Sequence, residues 1–310
     1  MRVIITGGTG LIGHALADNL LKDKHEVIIL SRNPDKHRGQ ALAGARLEKW
    51  DGRSAAGWGN LVEGAAIVNL AGANLAEGRW TKQRKAEILS SRLQAAHAVV
   101  EAVRTATKKP DVVIQASAIG YYGPRRDEEI REDTGPGQGF TAEVSVQWEK
   151  SVAPIQEVGV RVAVIRTGLV LSLAGGALPQ LVRQFKLMAG GPMGSGEQWY
   201  SWIHIADEVR AIRFLLENPS HQGIFNLTAP APLTNRVFTS TLGNVMNRPS
   251  LLPTPGFALK LALGEMSEIL LQGQRVLPAR LMQAGFRFRF STLEHALRDL
   301  LVPSNVAAGV

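Results

Sequence analysis

Three glycines near the start of the chain, Gly7, Gly10 and Gly13, have the spacing of a turn that binds phosphate. They follow the short apolar run of residues 3–5 and precede an amphipathic stretch over residues 11–21. A dinucleotide pyrophosphate needs bare backbone N–H groups at a helix N-terminus, and any Cβ in the turn would hold it away. A strand before the glycines and a helix after them therefore predict a dinucleotide-binding loop, with a ligand-free turn as the alternative. The loop residues expected to contact the cofactor are Gly7, Thr9, Gly10, Leu11, Ile12 and Gly13.

The residues that close the next apolar run, residues 27–30, indicate which dinucleotide is bound. An acidic side chain at this point would hydrogen-bond both ribose hydroxyls and favour NAD. Here Ser31 and Arg32 follow, and both can donate hydrogen bonds to a 2′-phosphate, Arg32 through a charged fork. The sequence therefore predicts NADP(H), and the alternative is that Arg32 is only a surface cation. Leu70, Ala71 and Gly72 stand at the end of the predicted strand over residues 66–70. Small residues at this point would let the backbone approach the same cofactor.

A serine and two tyrosines are the best candidates for proton transfer. Ser117 follows the apolar run of residues 112–116, and Tyr121 and Tyr122 stand close behind it. Either phenol, together with Ser117, could protonate or orient a carbonyl group, whereas packing of the loop is the alternative role for the tyrosines. The imidazole of His204 suits acid–base chemistry near neutrality. Its place just before a predicted helix favours a structural hydrogen bond instead.

These residues need a scaffold that brings strand ends together, and alternating segments predict one. The predicted strands are residues 3–5, 27–30, 46–50, 66–70, 112–116 and 162–165, with helices between them that include residues 82–105 and 142–155. This alternation predicts an α/β fold with a doubly wound, Rossmann-like parallel sheet, which binds ligands at the carboxyl ends of its strands.

The chain changes character after residue 165. Residues 202–205 and 223–227 resemble short strands, residues 207–216 resemble a helix, and scattered prolines mark a looser helical region. We expect an NADP-binding domain over residues 1–165 that is completed by a strand near residues 223–228. Residues 166–310 are expected to form a smaller, mainly helical, partly interleaved lobe that binds the substrate. Within it, R-F-R-F at residues 287–290 alternates as an edge strand would.

Composition excludes several classes of protein. The 310 residues are 45% hydrophobic and 20% charged, as in ordinary globular proteins, and no apolar run has membrane-spanning length. The absence of cysteine excludes disulfides, thiol catalysis and cysteine zinc sites. No acids or histidines have metal-ligand spacing, so no metal is expected. The net charge of +8 is scattered, which favours a solvated surface over a nucleic-acid site. We expect a cytoplasmic protein with a small-molecule substrate, no nucleic-acid or membrane partner, and a homodimer as one option.

Five motifs occur in an order that resembles the short-chain dehydrogenase/reductase superfamily, in its extended epimerase/dehydratase branch. They are T-G-G-T-G-L-I-G, N-L-A-G, A-S-A-I-G-Y-Y-G, W-I-H-I-A-D-E-V and G-I-F-N-L-T-A. G-G-P-M-G-S-G-E-Q and L-P-A-R-L-M-Q-A-G-F-R-F are similar to the "epimerase family" subgroup, whose sugar-nucleotide-epimerase-like members have a C-terminal domain of their own. The resemblance covers essentially the whole chain and implies NADP(H) binding. It implies Glu87 and Arg92 as cofactor contacts beside Ser31, Arg32, Leu70 and Ala71.

The resemblance also implies a Tyr-x-x-x-Lys pair that this chain lacks. In the superfamily the Tyr is the acid or base, and the Lys lowers its pKa. Aligning Trp148 and Glu149 with the corresponding helix places Thr141 and Ser145 at the two positions. Neither hydroxyl carries a charge that could depress a neighbour's pKa. Two hypotheses follow: an NADP(H)-dependent oxidoreductase or epimerase of a small polar or nucleotide-sugar-like substrate, or a catalytically weak NADP(H)-binding sensor or partner-binding module.

Overall fold

The computed structural model of the protein describes residues 1–37 and 44–302. Its strands, numbered along the chain, are β1 (Arg2–Thr6), β2 (Glu26–Ser31), β3 (Arg46–Lys49), β4 (Ala66–Asn69), β5 (Val112–Ala118), β6 (Glu129–Ile130), β7 (Arg161–Thr167), β8 (Leu169–Leu171), β9 (Trp199–Tyr200), β10 (Trp202–His204), β11 (Gly223–Leu227), β12 (Leu233–Thr234) and β13 (Arg275–Val276). Its helices are α1 (Leu11–Lys22), α2 (Pro34–His37), α3 (Lys82–Thr105), α4 (Phe140–Lys150), α5 (Ala153–Glu157), α6 (Leu178–Lys186), α7 (Ile205–Glu217), α8 (Asn235–Met246), α9 (Gly256–Leu263), α10 (Glu268–Leu271), α11 (Ala279–Gln283) and α12 (Leu293–Leu301), with 3₁₀ turns at Gly59–Val62, Ile119–Tyr122 and Gly264–Ser267.

The centre of the fold is a parallel sheet with the strand order β11-β7-β5-β4-β1-β2-β3. Its inner strands are continuous apolar runs: Val3, Ile4 and Ile5 of β1 are all 0% exposed. Such runs form strands that are covered on both faces, unlike the alternating strands of a half-exposed sheet. The order reverses between β1 and β4, so their carboxyl ends flank a crevice. This sheet confirms the predicted doubly wound α/β fold.

Helices pack on both faces of the sheet. The connections from β1 to β2 and from β4 to β5 run in opposite directions, which places α1 and α3 on opposite faces when each crossover is right-handed. α7 packs against α1, and α4 and α5 pack against α3. The predicted helix over residues 82–105 is confirmed as α3.

A second hydrophobic cluster lies under the C-terminal helices, which confirms a helical C-terminal region. Leu181 and Phe185 of α6 pack there with Phe238 and Leu242 of α8, and Leu297 of α12 joins them. The chain is interleaved, because β11 lies in the main sheet although lobe elements precede it and follow it. The expected boundary at residue 165 stays a prediction.

Two local expectations were wrong. The helix expected over residues 142–155 is split into α4 and α5, and Pro154 stands in the first turn of α5, where its missing N–H costs no hydrogen bond. Residues 287–290 form no strand, because the amides of Arg289 and Phe290 donate to the carboxylate of Asp207 at 2.9 and 2.8 Å. In the two described ranges, no helix combines the length and the apolar character needed to cross a bilayer.

Candidate functional site

The glycine loop between β1 and α1 leaves no room for side chains. Gly7 has φ +69°, and a Cβ there would lie 2.8 Å from the backbone of Leu70. A Cβ on Gly13 would lie 2.5 Å from the Gly7 carbonyl oxygen. The turn is closed by Gly10 N, which donates to Gly7 O at 3.0 Å. Glycine is therefore required sterically at position 7 by the β4 tip and at position 13 by the loop itself.

The first turn of α1 presents free backbone donors. Gly10 is its N-cap, no side chain caps the helix, and the first turn holds no acidic residue. The amides of Leu11, Ile12 and Gly13 belong to the orphan donors of a helix N-terminus, which favour an anion. Thr9 is exposed at the mouth of the loop. These features fit a pyrophosphate group.

A buried polar chain joins the strand ends below the loop. The Thr6 hydroxyl donates to Asn69 Oδ1 at 2.5 Å, and the Asn69 amide donates to Gln115 Oε1 at 2.8 Å. All three side chains are 0% exposed. Thr6 also accepts from the amide of Ala71 at 3.3 Å. These hydrogen bonds therefore fix the carboxyl ends of β1, β4 and β5 relative to one another. The sequence reasoning missed this role.

The tip of β2 carries the residues expected at the adenosine ribose. Ser31 is buried, and its hydroxyl accepts from Asn33 N at 3.3 Å. Arg32 is exposed with its stem over Gly52, and it forms no hydrogen bond or salt bridge with residues of the described ranges. Its guanidinium is therefore available to an external anion.

Arg92 of α3 lies below the tip of β4. It is 8% exposed, and its Nη1 donates to the carbonyls of Ala73 and Ile88 at 3.0 and 2.9 Å. Burial, together with the charge of Arg84, lowers the pKa of Arg92 to about 10, so it remains a cation at neutral pH. No carboxylate of the described ranges forms a salt bridge with it. A Cβ on Gly72 would lie 3.0 Å from this guanidinium, so the glycine allows the close approach without displacing Arg92.

Glu87 lies apart from this buried cation. It is exposed on α3 and accepts from Arg84 Nη1 at 2.8 Å. Arg84 Nη2 also donates to the carbonyl of Asn74, so the ion pair is tied to the loop that follows β4. The structure thus brings Arg92 against Gly72 and leaves Glu87 at the outer edge of the same loop.

Ser117 belongs to a buried ionic network rather than standing free. Its hydroxyl donates to Glu149 Oε1 at 2.6 Å, and Arg166 donates to both oxygens of Glu149 at 2.8 Å. Ser117 and Arg166 are register neighbours in β5 and β7, and α4 supplies Glu149 above them. Burial lowers the pKa of Arg166, but the hydrogen bonds and charge of Glu149 outweigh it and raise the pKa above its ordinary value.

The two tyrosines occupy different environments. Tyr122 is 0% exposed, its hydroxyl donates to Asn226 Oδ1 at 2.7 Å, and it accepts from Arg166 at 2.9 Å. Burial raises the pKa of Tyr122 to about 12. Tyr121 is half-buried, its ring centroid lies 3.4 Å from the Arg166 guanidinium carbon, and its hydroxyl has no hydrogen-bond partner in the described part of the chain. Within residues 1–37 and 44–302, Tyr121 is the one tyrosine whose phenol is unengaged.

The positions aligned with the superfamily's Tyr and Lys hold no acid or base. Thr141 lies beside Gly120, where a Cβ would be 3.0 Å from the Thr141 Cβ. The Ser145 hydroxyl is buried and donates to the Thr141 carbonyl at 2.8 Å. The helix face that would carry the pair is therefore occupied by local hydrogen bonding.

His204 has a structural role. It is the N-cap of α7, its Nδ1 accepts from Ala206 N at 3.0 Å, and its ring stacks on Phe290 at 3.9 Å. Burial lowers its pKa, so the neutral imidazole that can accept this bond is favoured. Residues 1–37 and 44–302 contain no group of His, Asp or Glu side chains that could hold a metal ion.

Two further buried acids were missed by the sequence reasoning. Glu208 is 0% exposed, accepts from Thr167 Oγ1 at 2.8 Å, and has a pKa that burial raises to about 8. Glu132 accepts from the amides of Asn226 and Arg280 at 3.1 Å, and burial raises its pKa as well. Their partners come from distant parts of the chain, so no local sequence signal marks them.

Comparison with known proteins agrees with this geometry. A model of the NAD dependent epimerase/dehydratase family matches residues 3–228, and a domain of unknown function, DUF1731, matches residues 254–300. The epimerase family protein SDR39U1 homolog, chloroplastic, of Arabidopsis thaliana is 40% identical over 304 residues, which cover 97% of this chain and 87% of that protein. Epimerase family protein YfhF of Bacillus subtilis is 38% identical over 302 residues, which cover 97% and 98%.

Solved structures give the same result. The crystal structure of human epimerase family protein SDR39U1 (isoform 2) with NADPH matches with a TM-score of 0.87 and 32% identity, and the match covers 97% of this chain and 99% of that one. UDP-glucose 4-epimerase of Thermotoga maritima shares the fold, with a TM-score of 0.77 at 16% identity and coverage of 97% of both chains. This chain therefore belongs to the NAD dependent epimerase/dehydratase family.

Proposed function

We propose that this protein binds NADP(H) across the carboxyl ends of β1, β2 and β4. The observation that carries the proposal is the loop at Gly7 and Gly13, where neither glycine has room for a Cβ beside an uncapped helix N-terminus. Arg32 and Arg92 supply cations that the described residues do not neutralise, which fits an anionic cofactor. The human SDR39U1 crystal structure, which contains NADPH, supports the same assignment.

We assign the 2′-phosphate to Ser31 and Arg32 and the pyrophosphate to the loop from Gly7 to Gly13. Leu70, Ala71 and Gly72 would line the cofactor from the β4 side, with Arg92 below them and Glu87 at the edge. When bound, the nicotinamide would supply hydride transfer. The chain's own contribution would be to orient the cofactor and to hold a proton near the reacting carbon.

For the reaction, we propose an oxidoreductase or epimerase of a small polar or nucleotide-sugar-like substrate, bound mainly by residues 166–310. Tyr121 is the residue best placed to exchange a proton, because its hydroxyl is unengaged and its ring lies on the Arg166 cation. Ser117 and Tyr122 would act as positioning residues, because their hydroxyls are bound to Glu149, and to Asn226 and Arg166, respectively. A cytoplasmic location and a homodimer remain predictions.

A second function, NADP(H) binding without efficient chemistry, is favoured by one observation. The Ser117 hydroxyl donates to a carboxylate that already accepts two hydrogen bonds from Arg166, so Ser117 is committed to a buried structural network. In that case the bound cofactor would serve a sensing or partner-binding role.

Cofactor preference is tested by titrating the protein with NADPH and NADH and following nicotinamide fluorescence. NADPH should bind more tightly, and Arg32→Gln should weaken NADPH binding about 10- to 100-fold by removing a charge-assisted hydrogen bond, with little effect on NADH. Arg104→Gln, at the far end of α3, is the matched control and should change neither affinity. Tighter binding of NADH by the parent protein would overturn the assignment.

Catalysis is tested by incubating the NADPH-loaded protein with carbonyl compounds and nucleotide sugars. Loss of nicotinamide absorbance or formation of an epimer would support the enzyme. Tyr121→Phe should then lower kcat at least tenfold and leave the Kd for NADPH unchanged. Tight NADPH binding with no turnover across a broad panel would establish the second function instead.

A further inference from the structure

One end of the C-terminal lobe exposes four large apolar side chains. Leu187, Met188, Leu251 and Leu252 are 70%, 52%, 79% and 57% exposed, and we call them the apolar tip. Isolated exposed leucines are ordinary, whereas a contiguous patch of this kind marks an interaction site.

The apolar tip is one structural unit, although its residues come from two segments. Leu252 N donates to Gly190 O at 3.2 Å, which joins the segment after α8 to the turn after α6. The buried ring of Phe185 lies below, against both Gly190 and Gly243. The exposed side chains therefore project from a packed base.

The turn that presents Met188 is well bonded despite an unusual backbone. Met188 has φ +61°, a conformation that costs a non-glycine residue energy. The turn is held by Met188 N donating to Phe185 O at 3.0 Å and Ala189 N donating to Gln184 O at 3.0 Å. The fold thus holds a methionine in solvent where a glycine would be less strained.

Cations surround the apolar tip. Arg183 and Lys186 lie in the last turn of α6, and Arg248 follows the cap of α8. All three are exposed, and none forms a salt bridge with a residue in 1–37 or 44–302. The sequence contains no Asp or Glu in residues 158–196 or 218–264, the stretches from which the tip and its cations come. The two segments that form the tip therefore contribute apolar, uncharged polar and positively charged side chains, and no carboxylate.

We propose that the apolar tip docks the protein on the surface of an anionic phospholipid bilayer. Leucine and methionine side chains would enter the headgroup region, and Arg183, Lys186 and Arg248 would meet lipid phosphates. A second copy of the chain fits this surface poorly, because a two-fold contact would bring these cations against their own copies. The proposal departs from the sequence-based expectation of no membrane partner, because the exposed apolar tip becomes visible only in the fold. It is independent of the cofactor.

The docking site has a defined relation to the cofactor site. The loop before α6 contacts the glycine loop, since Gly175 and Gly176 lie against the Leu11 side chain. The nine residues of α6 then lead to the apolar tip, a rise of roughly 14 Å. One helix therefore links the apolar tip to the glycine loop.

The test is co-sedimentation of the full chain with vesicles of equal parts phosphatidylcholine and phosphatidylglycerol. Binding should occur at low salt, fall at high salt, and be absent with phosphatidylcholine alone. Replacing two tip leucines together, Leu187→Asn with Leu251→Asn, should lower the partition coefficient at least about tenfold. Lys186→Gln with Arg248→Gln should lower it to a similar extent at low salt.

Matched controls separate the apolar tip from general effects. Met282→Asn removes a side chain that is 54% exposed on α11, and Arg104→Gln removes a cation on α3; both should bind vesicles as the parent does. An unchanged melting temperature and an unchanged Kd for NADPH show that the tip variants fold. The proposal is overturned if the parent does not bind anionic vesicles, or if the tip variants bind as well as the controls. It is also overturned if light scattering shows a parent dimer that the tip variants lose.

Discussion

Glu149→Gln tests whether the ionic network around Ser117 stabilises the folded state. The substitution keeps the shape of the side chain and removes its charge, so Arg166 loses its carboxylate partner. The Arg166 side chain is 1% exposed and that of Glu149 is 12% exposed, so water cannot replace the lost charge. Breaking such a pair from one side costs about 3–5 kcal/mol, because a buried cation remains unpaired.

This loss should be measured by urea denaturation and by thermal melting. With an unfolding entropy of about 2.1 cal/mol/K per residue, a loss in that range corresponds to a fall in Tm of roughly 5–8 °C for 310 residues. Glu143→Gln on the same helix is the matched control, because Glu143 is exposed; it should cost less than about 0.5 kcal/mol.

A double substitution sharpens the test. Replacing both Glu149 and Arg166 by Met should cost less than the sum of the two single replacements, because no unpaired charge is left behind. Equal midpoints for Glu149→Gln and Glu143→Gln would refute the structural interpretation, as would strictly additive losses in the double variant.

Three more predictions concern the loop, a buried acid and the tyrosines. Gly13→Ala should abolish measurable NADPH binding, because the new Cβ has no room, whereas Gly135→Ala, with open space around it, should bind normally in the same fluorescence titration. Burial raises the pKa of Glu208 from 4.5 to about 8, so the native state keeps a proton that the unfolded state loses, and stability falls as pH rises between these values. Glu208→Gln should remove this pH-dependent component, which amounts to up to about 1.4 kcal/mol per pH unit. Urea midpoints measured at several pH values test this. The explanation fails if the midpoint of the variant depends on pH as steeply as that of the parent. Tyr122→Phe should cost about 1–3 kcal/mol by leaving buried partners unpaired, whereas Tyr121→Phe should leave the denaturation midpoint unchanged.

The cofactor loop was predictable because its requirements are local. The glycines at positions 7 and 13, the strand before them and the helix after them are contiguous in sequence. The same is true of α3, which its apolar pattern predicts. The weak prediction at residues 46–50 was also confirmed, as β3.

The ionic network was not predictable, because it joins residues from three elements. Ser117 and Arg166 become neighbours only through the register of β5 with β7, and Glu149 reaches them from α4. The sequence around Glu149 therefore gives no sign of either partner. The strand prediction for the R-F-R-F segment was wrong for a related reason. Asp207, which is far away in sequence, accepts the hydrogen bonds from the backbone amides that a strand would have paired.

The position of β11 in the sheet has a consequence for synthesis on the ribosome. Asn226, beside Arg166 in the register, is translated long after β7, so the sheet is left with an unpaired edge while the first lobe elements emerge. Until then Tyr122 lacks the acceptor that Asn226 provides, and Glu132 lacks an amide donor. Because Glu132 also accepts from the amide of Arg280, the network is complete only after residue 280 has been translated as well.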